Sequence, residues 1–391
     1  MEIAPTTSRP PVFLLALGAG LGAASLYYAQ PVLGTMARDL EVSPEHIGNV
    51  PMFTQLGYAL GLVAFAPLGD KLERRGVIVV KCGLLAGTLL ATGVAPSLPL
   101  LVAASFAVGL FSTVAQDFVP AAAALSAPHE RGRVVGSVMT GLLLGILLSR
   151  TVSGAVAELF GWRVVYLSAA AVVAGLAFVS AARLPLFPPT TQASYLSLLG
   201  SMGSLLRRVA PLRRAALTQG LLSMAFGGFW TTLALALATP DFRLGSAAAG
   251  SFGLAGAAGA LLAPLAGALA DRRGPRLVIR IGSALAAVSF GAMASWPRSL
   301  VVLAVATLTF DLGVQASLVS HQSIVYGLEP SARSRLNALL VGSMFVGMAL
   351  GTALATRVFV SHGWSGVCTA CGILAALACV VRALPERAQP S

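Results

Sequence analysis

Apolar runs of about 18 residues or more, each long enough to cross the ~30 Å hydrocarbon layer of a membrane, recur along the whole of this sequence. Short segments rich in Arg, Pro and Gly separate them. The pattern predicts an all-α integral membrane protein of twelve transmembrane helices. Six lie near Val12–Leu33, Ile47–Leu68, Val77–Ala95, Leu98–Ala124, Val134–Ala157 and Val164–Ala182. Six more lie near Ala215–Ala238, Ala247–Ala270, Leu277–Ala294, Leu300–Tyr326, Leu336–Val360 and Gly366–Leu384.

The second set repeats the first. Asp70 and Asp271 stand 201 residues apart, and Arg131/Arg333, Arg133/Arg335, Gly145/Gly347, Gly161/Gly363 and Trp162/Trp364 are each 202 apart. One six-helix unit is used twice, as residues 1–183 and 215–391, joined by a linker over 184–214. That linker holds Pro185, Pro188, Pro189 and two Arg pairs, and reads as a segment lying partly along the membrane surface. Parallel repeats of this kind place a substrate site near the midplane, where the halves meet.

Composition agrees with a lipid solvent: 10% of residues are charged and 57% hydrophobic, with mean hydropathy +0.84, against about 25% charged in soluble domains. The formal charge of +12 would suit a nucleic-acid partner, but its placement points elsewhere. Twenty of the 26 Lys and Arg fall on one side of the spans, and only Arg38, Arg163, Arg243, Arg298 and Arg357 on the other. By the positive-inside rule the richer side is cytoplasmic. The expectation is a multi-pass protein of the cytoplasmic (inner) membrane, monomeric, with both termini in the cytoplasm and no nucleic-acid partner. The first apolar stretch lacks a small-residue cleavage site and reads as a retained helix. Cys82, Cys368, Cys371 and Cys379 fall inside spans, and the C-x-x-C spacing of Cys368 and Cys371, without a βαβ context, reads as packing.

Two loops carry a recurring motif. Asp70-Lys71-Leu72-Glu73-Arg74-Arg75 follows the second span; Gly267-x-x-x-Asp271-Arg272-Arg273-Gly274-Pro275-Arg276 follows the eighth. Both resemble the G-x-x-x-D-R/K-x-G-R-R signature of the major facilitator superfamily, with Ala66 and Glu73 replacing the glycines in the first copy. Carboxylates beside mobile Arg side chains can pair in one conformation and part in another, which suits a cytoplasmic gate. The fifth span carries Gly136, Gly145, Ser149, Ser153 and Gly154. It is similar to the antiporter motif G-x8-G-x3-G-P-x-x-G-G of drug-efflux members, with Ser149 and Arg150 where the family has Gly and Pro. Small residues keep the helix-packing role, while the Pro bend does not follow. The R-x-x-Q-G motif of the fourth span appears as Ser105 to Gly109 without its Arg, so that coupling residue is not carried over. Tyr27-Tyr28-Ala29-Gln30-Pro31 looks like the start of bacterial exporters of sugars, nucleosides or drugs.

Ionisable residues inside spans cost about 2.5–3.5 kcal/mol at a helix centre and therefore face the bundle interior. Arg150, Asp117 and Asp311 are such residues. Asp311 falls about eleven residues, ~17 Å, into the tenth span, with Gln315 and Gln322 on one stripe and His321 beside it. The expectation is that Arg150 and Asp311 face one cavity across the halves, Asp311 exchanging a proton or a cationic group. Static pairing is the alternative. Asp117 extends a proton path or pairs with a gate Arg, and His321 is a relay or a structural histidine. Tyr28, Gln30, Gln116, Gln219, Trp230 and Asn337 line the cavity or make ordinary interhelical bonds.

No H-E-x-x-H, G-x-S-x-G or Walker pattern is present, so neither enzyme chemistry nor bound ATP is expected. The resemblance implies a secondary transporter of a small organic solute, driven by a proton gradient without a cofactor and bedded in membrane lipid. Export is expected, with proton-coupled uptake or a non-transporting sensor as alternatives.

Overall fold

The computed structural model describes residues 11–65, 68–127, 129–187, 189, 194–261, 263–329 and 332–384. The side chains of Asp70 and Arg333, and the residues Arg9, Ala66, Pro188 and Arg387, lie outside the described residues.

The spans are helical. The first is split into Val12–Ala24 and Ala29–Asp39, bent by 42°. Pro31 explains the bend, because it has no N–H to give the carbonyl four residues back. The Tyr27 carbonyl accepts from Gln30 N at 3.2 Å instead. The second and third spans are Asn49–Phe65 and Arg74–Gly93. The fourth breaks into Leu98–Ser112 and Ala115–Leu125 through tightened turns, Gln116 N to Thr113 O and Asp117 N to Val114 O. The fifth and sixth, Arg131–Phe160 and Trp162–Arg183, meet at Gly161.

A linker helix, Tyr195–Arg208, precedes the seventh span, Ala210–Leu237, which starts inside the expected linker. The eighth span is Ser246–Leu261 with Ala263–Arg273, the ninth Pro275–Ser295 and the tenth Leu300–Tyr326. The eleventh and twelfth are the two arms of Arg333–Ala383, divided at Gly363. Among the described residues the helices follow the predicted order of twelve spans.

The repeat is visible in the backbone. Gly161 and Gly363 both adopt positive φ, 85° and 64°, which only glycine enters without strain, and both turn one span into the next. In the first half, a Cβ on Gly145 would lie 2.2 Å from the Gly20 carbonyl oxygen. In the second, one on Gly347 would lie 2.4 Å from that of Gly220. The first and fifth spans thus cross as the seventh and eleventh do, backbone against backbone.

The halves meet unevenly. At the face opposite the basic loops they are closed together: Thr151 Oγ1 donates to Gly250 O at 3.1 Å, and Ala247 N to Glu158 Oε2 at 3.2 Å. Glu45 and Arg357 lie 3.4 Å apart there, and Gly154 lies against Ser246 O. At the basic face a cavity of about 370 Å³ separates them, walled by the second to fourth spans on one side and Asn337, Ala338 and Val341 of the eleventh on the other. The linker helix straps this face. Tyr195 Oη donates to Ala64 O at 2.8 Å and Arg335 donates to Ser201 Oγ at 2.6 Å.

Candidate functional site

The centre of the molecule is organised around Arg150, 2% exposed. Its Nε donates to Gln30 Oε1 at 2.7 Å. The guanidinium carbon stands 4.1 Å from the Trp230 ring centroid, 4.6 Å from that of Tyr27 and 5.8 Å from that of Phe226. Cation–π contacts of this desolvated kind contribute about 2 kcal/mol or more, which offsets part of the cost of burying the charge.

Asp311, 3% exposed, enters from the tenth span beside the edge of the Trp230 indole. Both Trp230 and the Asp311 carboxylate lie against Gly256: a Cβ there would be 3.0 Å from Trp230 Cζ2 and 3.2 Å from Asp311 Oδ2. Gly250 and Gly253, on the same strip of the eighth span, press on the backbone and Cβ of Arg150. This glycine strip lets both charges approach one indole. Sequence reading missed it, although glycines at i, i+3 and i+6 were its signal.

Four polar atoms here are buried without a partner among the described residues: Arg150 Nη2, Gln30 Nε2, Trp230 Nε1 and Asp311 Oδ1. Each such orphan costs about 1–3 kcal/mol unless something supplies its missing bond. Gln30, Arg150 and Trp230 themselves line a cleft with Pro31, Leu233, Ala234 and Ala249, and it is closed too tightly to hold a water. Towards the basic face, Tyr58 and Phe345, with centroids 4.3 Å apart, form an aromatic pair from opposite halves. They stand one helical turn beyond Leu62 and Val341, which line the cavity.

Several expected residues are placed elsewhere. Tyr28 does not face Arg150; it packs edge-on against Tyr166 at 6.2 Å, and the Pro31 bend presents Tyr27 to the site instead. Gln315 is half-buried four residues past Asp311. His321 is fully buried further along the tenth span, its Nδ1 3.1 Å from Gln219 Oε1, in the second half and apart from the Arg150 cluster. Gln322 donates to Asn337 Oδ1 at 3.2 Å.

Gln116 and Asp117 belong to the basic-face cavity. Gln116 Nε2 donates to Tyr58 Oη at 3.1 Å. Asp117 pairs with Lys81 at 2.5 Å, both side chains nearly buried. Gly136 faces open space, with nothing within 4 Å of a Cβ, so the packing contact in the fifth span shifts to Gly141, which meets Ala16 O. Ser149 is buried and donates to Ile146 O at 2.7 Å. Cys368 and Cys371 are buried free thiols.

The two motif copies differ. In the second, Asp271, Arg272, Arg273 and Arg276 are exposed, and Gly274 turns the loop at φ 88°. In the first, Lys71 is exposed, Arg75 half-buried and Arg74 buried, with Arg74 Nε donating to Gly69 O at 3.2 Å. Glu73, where Gly274 stands in the other copy, caps the third span by accepting from Arg75 N at 2.8 Å and Gly76 N at 2.7 Å. It also accepts from Phe187 N at 2.9 Å, tying the loop to the linker. Partial burial pushes its pKa up, but the three N–H bonds and nearby Arg75 outweigh that and hold it below the usual range.

The Major Facilitator Superfamily model matches residues 15–259 and 215–391. The putative uncharacterized transporter YgaY of Escherichia coli is 40% identical over 359 residues, covering 92% of this chain and 91% of that protein. Multidrug resistance protein D of the same species is 28% identical over 199 residues, 49% of this chain and 50% of its own. Among solved structures, a mutant of nucleoside transporter NupG superposes with a TM-score of 0.77 at 15% identity, over 95% of this chain and 98% of that one.

Proposed function

The chain belongs to the Major Facilitator Superfamily and is a multi-pass membrane transporter; on that premise we propose that it exports a small organic solute from the cytoplasm in exchange for protons. The observation that carries the reading is the meeting of Arg150 from one half and Asp311 from the other at Trp230, the first over its ring and the second beside its edge. A site shared between halves is exposed to one side or the other as they rock.

In this reading the basic face is cytoplasmic. The solute enters the cavity beside Gln116 and Asn337, passes when Tyr58 and Phe345 part, and settles between Arg150 and Asp311. Opening of the opposite face then requires the Gly154–Ser246 and Thr151–Gly250 contacts to separate. Exchange follows if solute and proton compete for Asp311, since the carboxylate holds one or the other. The antiporter-like fifth span and the half-length likeness to Multidrug resistance protein D support the export direction.

Proteoliposomes with pH gradients of both signs test this. Asp311→Asn is expected to lose gradient-driven accumulation by at least about tenfold while retaining solute counterflow, the isolated exchange step. Gradient-driven transport with its pH dependence intact in Asp311→Asn would refute the coupling.

A further inference from the structure

We propose that the transported solute is a small aromatic zwitterion of the amino-acid type, its carboxylate bound at Arg150 and its ammonium at Asp311. The unsatisfied atoms specify this. Arg150 Nη2 and Gln30 Nε2 are two donors without acceptors, held together by the bond from Arg150 Nε to Gln30 Oε1, while the Trp230 N–H is turned to Asp311. A carboxylate accepts several such bonds, and its charge offsets that of Arg150.

Asp311 Oδ1 is the acceptor without a donor in this group. Arg150 and Asp311 make no ion pair among the described residues, so neither satisfies the other. The rings of Tyr27, Phe226 and Trp230 are gathered on the Arg150 guanidinium, so a carboxylate that engages Arg150 brings the rest of its molecule against aromatic faces, which suit a flat apolar body once the halves part. A ligand with only a cation would leave the Arg150 and Gln30 donors empty. One with only an anion would leave Asp311 charged and unmet in a buried site, a penalty paid unless it takes up a proton.

The inference rests on the transport reading for placing the solute at this centre, and equilibrium binding keeps the two tests apart. The purified full chain in detergent is titrated with phenylalanine, tyrosine and tryptophan, with their amides, which lack the carboxylate, and with their deaminated acids, which lack the ammonium. Binding is followed by calorimetry. At least one zwitterion is expected to bind at least tenfold more tightly than both of its analogues. In Arg150→Gln the preference over the amide vanishes; in Asp311→Asn the preference over the deaminated acid vanishes.

Acidification is expected to weaken zwitterion binding, because proton and ammonium compete for Asp311. Arg150 and Tyr27 are the charged or titratable groups facing it among the described residues. Binding in Asp311→Asn is expected to be flat with pH. The comparison of ligands on the unmodified chain needs no variant to fold. Equal binding of zwitterion and amide, or no binding by any of the three amino acids, would overturn the proposal. Discrimination without counterflow would leave it standing and sink the transport reading instead.

Discussion

The two halves share a backbone plan but not a charge plan. Where Arg150 stands in the fifth span, the position 202 residues on is Thr352, which bonds Thr231 at 2.9 Å and Gln55 at 3.2 Å. Where Asp311 stands in the tenth, the position 202 residues back is Gly109, whose Cβ would strike Thr54 O at 1.9 Å. Lys81, ion-paired to Asp117, has Gly282 for its counterpart 201 residues on, crossing Gly313 backbone to backbone. The crossings at Gly145 and Gly347 repeat because they build the fold. Arg150 and Asp311 depart from the repeat, each half bringing one of the two buried charges to Trp230.

The largest effect is expected where the difference is a buried ion pair. Asp117→Leu strands the Lys81 ammonium against Phe65, 5.3 Å from its ring. Removing one partner of a buried pair costs about 3–5 kcal/mol, and the adjoining cavity draws this towards the lower figure. The apparent Tm of the detergent-solubilised protein should fall clearly, and Lys81→Met with Asp117→Leu should restore most of it, as the glycine crossing of the other half already manages without charge. A double variant as unstable as the single one would show that the half-to-half difference is not electrostatic.

Next comes the shared plan itself. Gly145→Ala forces a Cβ to 2.2 Å from Gly20 O, and Gly347→Ala to 2.4 Å from Gly220 O. Overpacking of this kind costs about 1–3 kcal/mol, and the two should be alike. Gly136→Ala, with nothing within 4 Å of its Cβ, should be neutral or stabilising by up to about 1 kcal/mol. Equal destabilisation by Gly136→Ala and Gly145→Ala would deny that crossing contacts define the repeat.

The fold was legible because span length, Arg asymmetry and the 202-residue offset are one-dimensional signals. Arg150, Asp311 and Gln30 were legible because a charge or amide inside lipid has to find an interior. Tyr27 was not, because the Pro31 bend, a local backbone event, decides which of two adjacent tyrosines turns inward. Nor was the Lys81–Asp117 pair, since Lys81 sits near a helix end where a charge reads equally well as solvated. His321 drew notice through its chemistry, yet lies ten residues, or about 15 Å of helix, beyond Asp311.

A smaller effect separates the motif copies. Glu73→Ala removes a cap worth about 1 kcal/mol, whereas Gly274→Ala costs about as much through its φ of 88°. The sign with pH differs between them. Because the Glu73 carboxyl titrates below its usual value in the folded protein, its stabilisation is complete above the unfolded pKa and is lost as pH falls through the folded one. Melting measured from pH 7 downward should therefore show the Glu73→Gln deficit shrinking towards the acid end, while the Gly274→Ala deficit stays constant. A Glu73→Gln deficit independent of pH would count against the cap.

The smallest effect contrasts two exposed pairs at the closed face. Asp39 holds Arg163 and Trp162 within the first half. Glu45 and Arg357 join the two halves at 3.4 Å, with side chains 46% and 73% exposed. Exposed pairs are worth about 0.2–1 kcal/mol, so neither Asp39→Asn nor Glu45→Gln should move Tm much. Only the second pair, however, has to break when the halves part on this side. Glu45→Gln should raise the population open at this face by a factor of about 1.4–5, the same energy expressed as an equilibrium. Fluorescence transfer between labels on Ser43 and Ser361 would report it, with the change fading at high salt as screening removes the pair in the unmodified chain too. An equal shift in Asp39→Asn would mean that the contact across the halves has no special hold on their opening.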